Sequence, residues 1–441
     1  MTYNPFSRPV GERLDEENLA ELVSQGVAEG YYVEYKRQLP AALKIARSLA
    51  AFANTYGGWY IVGVITDAHN VATAVEGFSS EVTHDPVAVV RDSVRHNIDP
   101  APLFFPQVVT LRSGNLACIV YVPGNQATPF VTRDGRIYRR TSDSSEPVPE
   151  ASRHALDQLV ERGKSSDRAF ARFAKDTRTF SKSEEQGWAH IYISPEPLGV
   201  VFKDNLANHD AVVQLLSSTS ESRTILKAGD DITISGNISC NSARPTTSSV
   251  ILRQVAPQRE AFNSLSLEYD ELGRARIHIP LDVSPEHSGW NLRGIRSAIA
   301  RSAVEAKIAP ARDETFLKQF DIGRLWLVTA ISVSHYLDWL GSEGMAGNFR
   351  VALGFSETWR YVPFIDADEW GTYVATLGVP VTTSSAMEIP SDPASRYHLR
   401  RDGLWIGICL EQAYAFGLTG EVFSRLLNVA LLQAQARSAS S

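Results

Sequence analysis

The stretch from Pro40 to Ile65 constrains this chain more than any other. The segment PAALKIARSLAAFAN is alanine-rich and sets Leu43, Ala46, Leu49, Ala50 and Ala53 along one stripe, the pattern of a helix that packs closely on a sheet. The pair Gly57-Gly58 ends it, and WYIVGVI follows, short and almost wholly apolar. Such a run predicts a strand buried on both faces. The fold class expected is therefore α+β, a mixed sheet with packed helices.

The flanking residues extend this pattern. Asp15 to Glu29 reads as a helix, with acidic residues at its start and Leu19, Leu22, Val23 and Val27 spaced three or four apart. Tyr31 to Lys36 alternates as a strand, so Glu34 and Lys36 share a face. Thr66 to Asn70 is a turn that leaves Asp67 at a strand end. Pro86 to Ile98 looks helical. FPQVVTLRSGNLACIVYV is a hairpin turning at Ser113-Gly114-Asn115, and a second hairpin turns at Arg133-Asp134-Gly135 into RIYRR. After the polar loop Thr141 to Ser145, a helix runs from about Pro149 to Arg162.

Gly163 to Asp167 reads as a short polar linker, which gives domains of 1–163 and 164–441. The second region, again α+β, shows strands around His190 to Phe202 and Leu265 to Ile279, helices near Trp290 to Lys307 and Leu317 to Leu340, and a last helix from Glu421 to Arg437. Its expected role is regulation, sensing or oligomerisation. A length of 441 residues also exceeds what one hydrophobic core usually serves and calls for two domains or three.

Composition limits function. With 44% apolar and 21% charged residues the chain is an ordinary globular protein. The apolar run at Trp59 to Ile65 falls far short of the ~18 residues of a membrane span, and Met1 to Val10 lacks an apolar leader segment, so a cytoplasmic location is expected. Cys118, Cys240 and Cys409 show no metal-ligand or disulfide spacing and read as buried small hydrophobes. The net charge is −7, and residues 1–160 hold 14 Lys and Arg against 18 Asp and Glu. Indiscriminate coating of nucleic acid needs a broad positive field, so any nucleic-acid site must be local.

Four fragments occur in order: Glu29-x4-Glu34-x-Lys36, AFANTYGG at 51–58, Gly63-Val64 followed by Asp67, and IYRRTSDSS at 137–145. Together they resemble the Schlafen AlbA-type domain, over about a third of the chain. The resemblance implies a nucleic-acid-binding module and, in members that keep three carboxylates, a metal-dependent endoribonuclease, a hydrolase acting on structured RNA such as tRNA. Carried over by position, the carboxylates are Glu29, Glu34 and Asp67. Asp67 falls one residue later than the commonest Gly-Val-x-Asp spacing, and Ser142 to Ser145 replaces the usual glycine-serine turn.

The residues permit this chemistry under one condition. Glu29 and Glu34 diverge on a helix or a continuous strand and converge only if the chain turns at Gly30, where glycine makes the turn inexpensive. Three converging carboxylates would supply the oxygen ligands that Mg²⁺ or Mn²⁺ prefers, with Lys36 beside the phosphorane oxygens. The bland alternative is that Glu34 and Lys36 are a solvated pair and Asp67 merely opens a turn.

Arg136, Tyr138 and Arg140 fall on one strand face, offering cations around an aromatic ring for phosphate contact and stacking. A basic edge strand that deters aggregation is the alternative. The candidate nucleic-acid-binding residues are Lys36, Arg37, Asn54, Arg136, Tyr138, Arg139, Arg140 and Ser142, with RNA preferred as partner. One charged face per copy also calls for a homo-oligomer. The rival function is a non-catalytic DNA-binding transcriptional regulator, or an interaction scaffold, with a ligand- or partner-sensing C-terminal domain. A phosphate site requires Glu34, Asp67 and the strand at Tyr138 to face one groove.

Overall fold

The computed structural model describes residues 3–6, 13–124, 128–141, 144–175, 187–195, 206, 208–221, 224–228, 232–255, 265–281, 292–308, 317–341, 348–383, 386–388, 397–400 and 403–440. The chain forms two compact units. The first holds Met1–Phe170, Pro195–Val200 and Ser342–Asn348, and the second holds Ala171–Ser194, Val201–Gly341 and Phe349–Ser441.

In the first unit the elements run α1 (Glu16–Ser24), β1 (Val33–Lys36), α2 (Ala42–Asn54), β2 (Gly58–Val62), β3 (Val64–Thr66), β4 (Ala72–Val75), α3 (Pro86–Asn97), β5 (Ile98–Asp99), β6 (Phe105–Thr110), β7 (Leu116–Val122), β8 (Val131–Thr132), β9 (Tyr138–Thr141), β10 (Ser144–Pro149) and α4 (Arg153–Lys175). The main sheet has the order β1-β2-β7-β6. β1 and β2 are parallel, which α2 makes possible as the crossover between them, and the other two pairings are antiparallel.

The expected doubly buried strand is β2, with all five residues buried. Tyr60 and Val62 join α2 and α3 in one core layer, whereas Trp59 and Ile61 join α1 and β1 in the layer on the opposite face. The apolar run does not continue straight. Gly63 takes φ +105°, and a Cβ there would lie 2.9 Å from the Cα of Gly77, so the chain breaks and restarts as β3, paired with β4. Gly57, at φ +76°, would place a Cβ 2.3 Å from the backbone nitrogen of Gly124. The glycine after α2 is thus required by close backbone approach as well as by its dihedral.

The expected linker at Gly163 to Asp167 is helical instead, because α4 runs unbroken from Arg153 to Lys175. Its polar residues mark an exposed face, while Leu159 and Phe170 are buried. A Cβ on Gly163 would sit 2.2 Å from the carbonyl oxygen of Thr128, so the glycine serves close packing of the helix.

The second unit is built on an eight-stranded sheet whose main path runs Ser242–Pro245, Ser249–Arg253, Ser266–Asp270, Ala275–Pro280, Trp188–Pro195, Asn348–Ser356 and Ala386–Glu388. The helices Ala298–Lys307, Ile322–Leu340 and Gly420–Ser440 correspond to the three read from the sequence. Across the sheet, His190 and His278 face each other in register. Their Nδ1 atoms lie 2.8 Å apart, and His190 Nε2 lies 2.8 Å from Ser356 Oγ. Burial pulls the His190 imidazole down to about 4, and burial, then the neighbouring charges of His190, Arg276 and Arg253, pulls His278 well below its usual range. His335, between Ser218 Oγ at 3.1 Å and the Tyr269 hydroxyl at 2.9 Å, is lowered to about 4 by burial.

All three cysteines are buried thiols, and burial pushes Cys118 up to about 12. No single helix among the described residues is long and apolar enough to cross a membrane.

Candidate nucleic-acid interface

Glu34 is sealed inside the first unit. Its Oε2 accepts from Arg140 Nη1 at 2.8 Å, and its Oε1 accepts from Ser48 Oγ at 2.8 Å and lies 3.0 Å from Lys36 Nζ. Both side chains of the Glu34–Arg140 pair are at most 1% exposed. Arg140 does more than neutralise the carboxylate. Its Nη2 donates to the Gly30 carbonyl at 2.6 Å, its backbone N–H donates to Thr55 Oγ1 at 2.9 Å, and its guanidinium lies over the Phe52 ring. One residue, through its guanidinium and its backbone N–H, thus ties β9 to the turn before β1, to β1 itself and to the end of α2.

Asn54 is structural in the same way. Its Nδ2 donates to the carbonyls of Phe130 and Tyr138, and its Oδ1 accepts from Phe130 N–H. All three bonds lie in the interior, so the amide fastens the end of α2 to β9 and does not face a ligand. Arg162, which sequence reasoning passed over, completes the fastening by donating to the carbonyls of Ala53 and Thr55, the groups a helix C-terminus leaves open.

The three carboxylates expected to hold a metal are not brought together. Glu29 does turn toward Glu34, as the break at Gly30 allows: its Oε1 accepts from Tyr35 N–H at 2.6 Å. Burial, the largest influence, raises its pKa against the lowering effect of that bond and of Lys36, and Glu34 raises it further. Asp67 stays at the surface, where its Oδ1 accepts from the N–H groups of His69 and Val71. Those backbone bonds, that from Val71 first, hold its carboxyl below the usual range. Among the described residues no group of three His, Cys, Asp or Glu is placed to hold a metal. The donor set therefore does not fit Mg²⁺ or Mn²⁺: Glu34 already has three partners, and Asp67 closes its own turn.

Glu29 supplies a contrast with Glu34. A carboxyl whose pKa is raised by folding destabilises the folded state as pH climbs from the unfolded value through the raised one. Glu29→Gln keeps the acceptor for Tyr35 and removes that charge. The expected result is a melting temperature at neutral pH equal to or above that of the parent chain, measured by thermal circular dichroism at pH 5 and pH 8.

The basic strand face is likewise turned inward in part. Tyr138 and Arg140 are buried, so Arg136, Tyr138 and Arg140 do not form an open stacking surface. The Tyr138 hydroxyl donates to Asp134 Oδ2, and Arg47 lies over its ring while pairing with Asp134 at 2.7 Å. Burial opposes ionisation of Asp134, but the bonds from Thr132, Tyr138 and Arg47 hold its carboxyl down at about 2. Arg139 pairs with Glu150 at 2.9 Å, and the exposed Arg37 pairs with Glu76 at 3.2 Å. Ser142 lies outside the described residues.

What does gather at the surface is a rim of cations around the β8–β9 turn. Arg133 and Arg136 are exposed there, Arg47 approaches through Asp134, and exposed Lys44 lies one helical turn before Arg47. Arg133 N–H donates to the carbonyl of Asn97, which brings in the last turn of α3 with Arg95 and His96. No spacing in the sequence joins these residues; only the packing of α2 and α3 against the turn does.

A second surface group is aromatic. Tyr3, Tyr31, Tyr32 and Tyr56 form a cluster with ring centroids 5.9 to 6.4 Å apart. Tyr31 and Tyr32 directly follow Gly30, and Tyr56 directly follows Thr55, the two points that Arg140 grips.

Residues 29–149 match the family model described as Schlafen, AlbA_2. No curated protein matches the chain. Among solved structures, the crystal structure of the DIP2311 protein from Corynebacterium diphtheriae is similar at 21% identity over 38% of this chain and 40% of that one, with a TM-score of 0.23. The match thus spans less than half of that protein's length.

Proposed function

We propose, from the premise that residues 29–149 are a Schlafen AlbA_2 domain, that the first unit binds RNA through the basic rim around the β8–β9 turn without cutting it. The observation that carries this reading is the commitment of Glu34 to Arg140, Ser48 and Lys36, which leaves a scaffold with charged rims in place of a hydrolytic centre. Arg133 and Arg136 are placed to meet phosphates as exposed cations, and the unit's slight acidic excess confines attraction to that rim. A homodimer would offer two such rims to one RNA.

Binding of labelled tRNA by the full chain should weaken steeply with salt. The double variant Arg133→Ala, Arg136→Ala should weaken it uniformly across sequences and flatten the log–log salt slope by about 2. Light scattering on the same samples should find two protein chains per complex. RNA incubated with Mg²⁺ or Mn²⁺ should stay intact. Absence of salt-dependent binding, or an unchanged slope in the double variant, would sink the reading. Tighter binding to duplex DNA than to RNA would turn it toward the regulator.

A further inference from the structure

We propose that Tyr3, Tyr31, Tyr32 and Tyr56 form a platform on which unpaired bases stack, so that the ligand of the first unit is single-stranded nucleic acid. This deepens the RNA-binding reading and rests on it. Two of the rings are widely open, Tyr56 at 56% and Tyr3 at 46%, and each of the four lies within 6.4 Å of at least one other. The rings are tilted or edge-on to one another, and no pair in the cluster is stacked face to face.

A cavity of about 400 Å³ opens beside them, lined by Tyr3, Tyr31, Tyr32 and Val33 together with Gly30 and the segment from Gln25 to Ala28. That volume falls within the range of small-molecule sites. Its lining combines three tyrosines with the polar Gln25 and with small residues at Gly26, Ala28 and Gly30, which suits a flat heteroaromatic ring with hydrogen-bonding edges. Bases in a duplex are stacked on their neighbours and cannot enter; bases in a loop or a single strand can. Stacking on aromatic side chains tolerates any base, because each has a π-face.

The backbone that carries the rings is also fastened to the interior, which favours stacking. Gly30, next to Tyr31, accepts from Arg140 Nη2, and Thr55, next to Tyr56, accepts from Arg140 N–H. Trp59 N–H donates to the Tyr32 carbonyl, and Trp59 Nε1 donates to the Tyr3 carbonyl. The buried ion pair thus serves as the underside of an aromatic surface, which gives the sealed Glu34 a positioning role in binding.

The test uses the full chain with a single-stranded RNA carrying 2-aminopurine and with the same sequence annealed to its complement. Expected are quenching of the 2-aminopurine emission on binding and preference for the single strand. Tyr31→Ala and Tyr56→Ala should each weaken single-strand binding roughly 5- to 100-fold with an unchanged salt slope, whereas Tyr31→Phe and Tyr56→Phe should bind as the parent does. Thermal melts of each variant separate lost stacking from lost folding. Equal affinity for single strand and duplex, or parent-like affinity in both alanine variants, overturns the platform while leaving RNA binding by the rim in place. No binding of either RNA by the parent chain overturns the RNA-binding reading, and the platform with it.

Discussion

Glu34→Ala is expected to cost the first unit about 3 to 5 kcal/mol, because it leaves the Arg140 guanidinium buried without its anion. Domains are stable by only about 5 to 15 kcal/mol, so roughly a fifth or more of the margin is lost. For a unit of this size the melting temperature should fall by roughly 10 °C. Lys36 cannot take over for Glu34, since it carries the same sign as Arg140. The double change Glu34→Ala, Arg140→Met should recover part of the loss, because removing both ions avoids the unpaired charge. Differential scanning calorimetry of the three chains decides the matter. A single variant melting within a degree or two of the parent would show that the pair is dispensable. In consequence, loss of RNA binding or cleavage in Glu34→Ala reports on folding before it reports on chemistry.

Acidification from about pH 6.5 toward pH 4 is expected to weaken the second unit. The sign follows from its histidines. His190 and His335 titrate near 4 in the folded chain against 6.5 as the ordinary value, so in that window the unfolded chain binds more protons and folding stability falls as protons are added. One such imidazole is worth about 3 kcal/mol across the full window. The His190–His278 contact adds to it, because a charge on one ring would face the other ring at 2.8 Å with Arg276 and Arg253 acting on His278. Urea midpoints at pH 7 and pH 5, before most carboxylates titrate, should show the unit weakened at pH 5. His190→Gln with His335→Gln should remove most of that difference. Equal midpoints at the two pH values in the parent chain would refute the linkage.

Much of the first unit was legible because its signals are local. The small-residue stripe of α2, the apolar run of β2 and the turn glycines each act within a few residues of themselves, and the elements lie where those signals put them. The site was legible only in its components. Glu34, Asn54 and Arg140 stand out by their pattern in the sequence, yet their roles depend on the partners that face them, and those partners are internal. Whether Arg140 lies on an open face or under a lid is decided by Thr55 and Gly30, distant in sequence, and alternation along RIYRR could not show that α2 covers that strand. Gly163 to Asp167 misled for a related reason: a polar stretch with a glycine reads as a linker unless the buried Phe170 beyond it is weighed as the continuation of a helix. The tyrosines were missed because Tyr31-Tyr32 and Tyr56 belong to separate fragments that meet only after α2 returns the chain to the sheet.

The three hydrogen bonds that Asn54 makes with Phe130 and Tyr138 have a bearing on how its sequence motif is read. In this chain the AFANTYGG string, with a distant arginine and an earlier glutamate, marks a joint of the frame and supplies carpentry before chemistry. Any chemistry of the first unit has to be sought in groups that remain open to solvent, because an internal clamp of this kind serves a mechanical need whichever reaction or ligand the surface carries.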